Sequence, residues 1–122
     1  MKKTTPRKVE AYAKAATVAA AGAPELSERQ RRHLRGLAHP LKPVVRLGAA
    51  GLTDAVARET ERALGDHELI KVKAPGGDRA KRDELFAGLA RATGSAFVHR
   101  IGNVVVLYRA RGKAPRIILP AD

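Results

Sequence analysis

A chain of 122 residues with 24 Lys and Arg against 12 Asp and Glu, a formal charge of +12, has room for one small domain and suits a polyanionic partner, with nucleic acid the first candidate. It contains no cysteine, which excludes a disulfide framework, a thiolate nucleophile and a Cys-ligated zinc site. No apolar run approaches the roughly 20 residues of a spanning helix, so no membrane partner is expected.

Residues 1–24 carry Lys2, Lys3, Arg7, Lys8 and Lys14 against the single acid Glu10, then run through alanines to Gly22-Ala23-Pro24. With only Val9, Tyr12 and Val18 as larger apolar side chains, this stretch cannot offset its ordering entropy by burial and is expected to be a disordered basic tail. Met1-Lys2-Lys3 followed by the alanines from Ala15 to Ala21 has the outline of a secretory leader. Pro6, Arg7, Lys8, Glu10 and Lys14 interrupt it, so the expectation is a cytoplasmic protein whose single domain fills residues 25–122.

The domain opens with Ser27-x-x-Gln30, a capping box that predicts a helix from Glu28 to about Leu37, its inner side made of Leu34, Leu37 and Ala38. Arg29, Arg31, Arg32 and Arg35 cover much of the rest, and the like-charged i, i+4 pair Arg31 and Arg35 reads as a basic ridge for phosphates. His39-Pro40 ends the helix. Val44-Val45-Arg46-Leu47 reads as a short strand that feeds Gly48-Ala49-Ala50-Gly51, and Thr53 caps a second helix carrying Val56, Thr60, Ala63 and Leu64, expected to stop near Gly65.

Leu69 to Lys73 reads as a strand, broken by Ala74-Pro75-Gly76-Gly77. Asp78 caps a third helix with Leu85, Phe86, Leu89 and Ala90 on one side and Gly94 at its C-terminal end. Two strands follow, Ser95 to Ile101 and Val104 to Tyr108, joined by the tight turn Gly102-Asn103. Residues 113–120 include Ile117-Ile118-Leu119 and fit either an edge strand or a tail. The fold class expected is α/β: one α-β-α-β-α-β-β domain in which helices cover one face of a mixed four-stranded sheet.

A strand, a glycine loop and a helix start together suit phosphate oxygens, because the backbone can approach closely and the first helical N–H groups are unpaired. A nucleotide cofactor is not expected. Gly48-x-x-Gly51 lacks the spacing of dinucleotide sites, and no G-x-x-x-x-G-K-[S/T] sequence occurs. Of the four histidines, only His67 stands between carboxylates, in Asp66-His67-Glu68, where consecutive side chains on a turn diverge; no metal site or catalytic group is expected. Phe86 and Phe97 sit in core-like settings, Tyr12 in the tail and Tyr108 at a strand end, leaving no platform for stacking bases. Contact through Arg, Lys and backbone N–H groups to structured RNA is the remaining mode.

The stretches H-L-R-G-L-A-H-P-L-K-P-V-V-R-L-G (His33 to Gly48), Gly51-Leu52-Thr53, H-E-L-I-K-V-K (His67 to Lys73) and I-G-N-V-V-V-L-Y-R (Ile101 to Arg109) resemble the bacterial YhbY proteins, stand-alone members of the CRM family. The resemblance spans about Leu26 to Pro120. It implies a fold related to the C-terminal domain of bacterial translation initiation factor three, RNA binding, and association with precursors of the large ribosomal subunit. It also implies that the G-x-x-G loop, comparable with that of KH domains, contacts RNA. This chain departs from the pattern at Ala49-Ala50, where polar or basic residues are usual, and in its basic extension.

The expected RNA-binding set is therefore Arg31, Arg32, Arg35, Lys42, Arg46, Gly48, Ala49, Ala50, Gly51 and Arg58, in a monomer that takes structured RNA, precursor large-subunit ribosomal RNA above all. The competing readings are an RNA-processing or RNA-modifying enzyme whose groups meet only in space, and a nucleoid DNA-binding protein.

Overall fold

The computed structural model describes residues 23–111 and 115–121, so the expected tail lies, apart from Ala23 and Pro24, outside the described residues. In chain order the elements are α1 (Glu28–Ala38), β1 (Val45–Arg46), α2 (Asp54–His67), β2 (Leu69–Lys73), α3 (Arg79–Thr93), β3 (Ala96–Ile101) and β4 (Val104–Tyr108). Each helix starts where a side chain satisfies an orphan N–H. Ser27 Oγ accepts from Gln30 N while Gln30 Oε1 accepts from Ser27 N, both at 3.0 Å, and Thr53 and Asp78 cap α2 and α3 through Val56 N and Ala80 N. Gly94, at φ 63°, ends α3 in the left-handed conformation that glycine adopts without strain.

The strands form one sheet in the order β1-β2-β4-β3, with β1 parallel to β2 and the other neighbours antiparallel. β1 is only two residues long, but Val44 N–H donates to Lys71 O and Leu47 N–H to Lys73 O, so pairing spans the expected four residues. In β3 the register slips between Phe97 and His99, where a bulge sends Val98 and His99 toward the same side.

Helices cover both faces of the sheet, not one. Ile70, Val72, Val105 and Leu107 pack with Val45, Leu47, Leu64, Phe86 and Leu89 under α2 and α3. On the other side Leu69, Val98, Val106 and Tyr108 pack with Leu34 and Ala38 of α1. Each fully buried aliphatic or aromatic side chain contributes on the order of 1.5–3 kcal/mol, so two facing clusters, rather than one, hold this small domain together.

Two boundaries differ from expectation. α2 runs past Gly65 to His67 and is stopped by Glu68, a non-glycine residue at φ 67°. The C-terminal segment is neither edge strand nor free tail. Among its described residues, Ile117 and Leu119 pack beside Leu26 on the α1 side, Gln30 Nε2 donates to Pro120 O at 3.0 Å, and the buried Glu68 carboxylate accepts N–H bonds from Arg111, Arg116 and Ile117 at 2.8–2.9 Å.

Candidate nucleic-acid interface

Because β1 and β2 are parallel, with Arg46 opposite Lys73, their C-terminal ends open side by side. The loops that follow, Gly48 to Thr53 into α2 and Ala74 to Asp78 into α3, are therefore neighbours. Each is pinned. Gly51 N–H donates to Gly48 O at 3.0 Å, closing a tight turn with Gly51 at φ 74°. Leu52 lies against α3 so closely that a Cβ on Gly88 would stand 3.2 Å from its Cδ2. Asn103, in the hairpin turn, holds Ala74 at both polar atoms: Asn103 Nδ2 donates to Ala74 O at 2.7 Å and Ala74 N donates to Asn103 O at 2.8 Å.

The result is a shallow cleft of about 160 Å³ with Gly48, Ala49 and Gly51 on one wall and Pro75, Gly76, Asp78, Lys81 and Arg82 on the other. Ala49 and Ala50 are exposed, and their N–H groups donate to no acceptor among the described residues. Arg82 brings a guanidinium whose buried Nε has no partner there. The helix starts themselves are less open than the sequence suggests, since Asp54 sits in the first turn of α2 and Asp78 caps α3. An anion at this cleft would meet loop N–H groups and the Lys81 and Arg82 cations more than two vacant helix ends. Nothing local in the sequence sets Lys81 and Arg82 apart from other helix-surface cations; it is the parallel pairing of β1 with β2 that brings them to the loop.

The other expected residues fall in different places. Arg46 is exposed on β1, two residues before the loop, and Arg58 is exposed on α2. Lys42 is exposed but lines a separate groove with Leu37, Leu41 and Val44. Arg32 is exposed on α1, and Arg35 is half-buried beside His99. Burial of the His99 ring, then the charges of Arg35 and Arg100, push that imidazole below its ordinary pKa.

Arg31 is not brought to the loop. Its Nη1 donates to the Phe97 and Val98 carbonyls at the bulge of β3, the edge strand opposite β1. The guanidinium occupies acceptors that the sheet leaves open, which engages one member of the like-charged pair with Arg35. Arg31→Ala is expected to lower stability by about 1–2 kcal/mol in urea denaturation, the scale of losing a charged donor to backbone carbonyls. A variant as stable as the parent would return Arg31 to the surface cations.

Among the described residues no group of three or more His, Asp or Glu could hold a metal ion, and no helix is long and apolar enough to cross a membrane.

The family model described as the CRS1 / YhbY (CRM) domain matches residues 26–109. A Haemophilus influenzae protein named "RNA-binding protein" is 48% identical over 95 residues, covering 78% of this chain and 95% of that one. The Bacillus subtilis "Probable RNA-binding protein YqeI" is 33% identical, with 78% and 99% covered. The solution structure of the hypothetical protein SAV1595 from Staphylococcus aureus superposes with a TM-score of 0.70 at 33% identity, over 79% of this chain and all of that one.

Proposed function

The chain belongs to the CRS1/YhbY (CRM) domain family, and from that premise we propose that it is a cytoplasmic, monomeric RNA-binding protein that holds structured RNA of immature large ribosomal subunits and catalyses no reaction on it. The observation that carries this reading is the cleft where two strand-to-helix loops meet: Gly48, Ala49 and Gly51 line it together with Lys81 and Arg82, and the N–H groups of the exposed Ala49 and of its neighbour Ala50 donate to no acceptor among the described residues. Such a site binds phosphates by shape and charge without reading bases, as suits a chain with two tyrosines, two phenylalanines and no tryptophan. Relatives named as RNA-binding proteins support RNA over DNA. The surface cations Arg32, Arg35, Lys42 and Arg58 add to the field that draws RNA in.

Purified protein incubated with labelled precursor ribosomal RNA and with duplex DNA tests the reading. Retention of intact RNA in preference to DNA is expected; covalent change in the RNA would establish an enzyme, and preference for DNA a nucleoid protein. Co-sedimentation with large-subunit precursors in cell extracts, rather than with mature ribosomes alone, tests the assembly role.

The salt dependence should be steep. About five to eight neutralised phosphates give a slope of log K against log salt near −4 to −7. Removing residues 1–22, which carry Lys2, Lys3, Arg7, Lys8 and Lys14, should flatten that slope and weaken binding most at low salt. A flat dependence for the full chain would remove the charge argument.

A further inference from the structure

α1 covers only part of its face of the sheet, and strand register defines what stands on the remainder. Arg46 pairs with Lys73, Lys73 with Val104, and Val104 with Ile101, so these four form one row across all four strands. Adjacent strands lie about 4.8 Å apart, which makes the row about 14 Å long. Lys73 shares a side of β2 with Leu69, which packs under α1, so the row lies on the α1 side, beyond the helix.

The row is half cationic and half aliphatic. Ile101 is 63% exposed, unusual for an isoleucine at a strand end, and Val104 is half-buried. Behind them two shallow cavities, of about 180 Å³ and 360 Å³, share Lys71, Ile101 and Val106; no carboxylate lines either. Lys71 is already engaged, its Nζ donating to His39 O and Leu41 O at the end of α1. Lys73 makes no side-chain bond among the described residues, and neither does Arg46.

A duplex offers this row only phosphates, since its bases are stacked away, and Ile101 and Val104 would gain nothing from it. An unpaired nucleotide presents an apolar base face next to a phosphate, which matches a row whose cationic half adjoins its aliphatic half. The position favours RNA over an acidic protein segment, because Arg46 and Lys73 end the two strands that lead into the loops forming the cleft. We propose that the row Arg46, Lys73, Val104 and Ile101 seats an unpaired RNA segment that continues from the structured element at the cleft, with phosphates at Arg46 and Lys73 and bases on Val104 and Ile101. This rests on the RNA-binding reading above.

Two RNA hairpins test it, one blunt and one carrying a short unpaired extension, with the full chain and its Ile101→Ser/Val104→Thr and Lys73→Gln variants. The parent should bind the extended hairpin about tenfold more tightly than the blunt one, and each variant should lose most of that increment while binding the blunt hairpin within about twofold of the parent. Neither variant introduces a charge or alters a fully buried residue, and a thermal melt confirms that the variants fold. No increment in the parent, or equal losses on both hairpins, overturns the proposal. So does a lost increment for neither variant. If an acidic, leucine-containing peptide binds the parent and not the Ile101→Ser/Val104→Thr variant while the extension adds nothing, the row is a protein-docking surface. A parent that binds neither hairpin sinks the RNA reading itself, a result distinct from loss of the increment alone.

Discussion

Glu68→Ala is expected to lower stability by about 3 kcal/mol, because it leaves three backbone N–H donors without the carboxylate that gathers them. Those donors, on Arg111, Arg116 and Ile117, bind the C-terminal segment, whose Ile117 and Leu119 close the cluster beneath α1. The backbone at Glu68, φ 67° and ψ −43°, lies near the strained γ-turn region, where glycine would be at ease. Glu68→Gly should therefore recover about 1 kcal/mol of the loss, which separates the backbone cost from the side-chain gain. Truncation after Arg111 should cost a similar amount and be far from additive with Glu68→Ala, since both remove one coupling. Full additivity, or a Glu68→Ala variant as stable as the parent, would show that the segment is held by something else.

The same residue sets a pH dependence. Burial raises the Glu68 carboxyl, but the N–H bonds and the Arg111 charge together outweigh it and leave its pKa below the ordinary 4.5. With the folded value below the unfolded one, the unfolded chain binds more protons between them. This contribution is complete above about pH 4.5 and drains away as pH falls through the folded value. Glu68→Gln carries no titrating group, so it should be less stable at neutral pH and lose less than the parent on acidification. Parallel acid curves for the two would remove Glu68 from the account.

How far the sequence could be read follows from which signals are local. The capping box at Ser27 and Gln30, the caps at Thr53 and Asp78, Gly94 and the Gly102-Asn103 turn each act within a few residues, and each stands where the pattern places it. The two-sided packing was hidden because β2 begins Leu69-Ile70: two apolar neighbours point to opposite faces, and an alternating pattern cannot show that both are buried. Glu68 reads as a polar residue in a turn, since its partners lie 43 to 49 positions away. Arg31 is an arginine among arginines until β3 supplies the bulge carbonyls it serves. At the cleft, Gly48 to Gly51 were legible from glycine spacing, whereas Lys81 and Arg82 reach it only through the parallel register of β1 and β2.

Ala50→Asp is expected to cost about 1–3 kcal/mol of RNA affinity, the scale of losing a charge-assisted hydrogen bond, with little change in stability. Ala50 is exposed in the turn that Gly51 closes, so a longer side chain there meets solvent rather than core. What changes is the charge beside the N–H groups of Ala49 and Ala50 and near the cleft that Lys81 and Arg82 flank. Asp54 and Asp78 already place carboxylates at the two helix starts, so a third would offset more of the positive charge that Lys81 and Arg82 bring and oppose an incoming phosphate. Ala50→Lys should bind as well as the parent or better. The comparison surface is α1, and it must be probed at Arg32 and Arg35, because reversal at Arg31 would unmake its bonds to β3 and confuse folding with binding. If both Ala50 variants bind like the parent while Arg32→Glu and Arg35→Glu abolish binding, the glycine loop is a structural turn, and RNA lies along α1 instead.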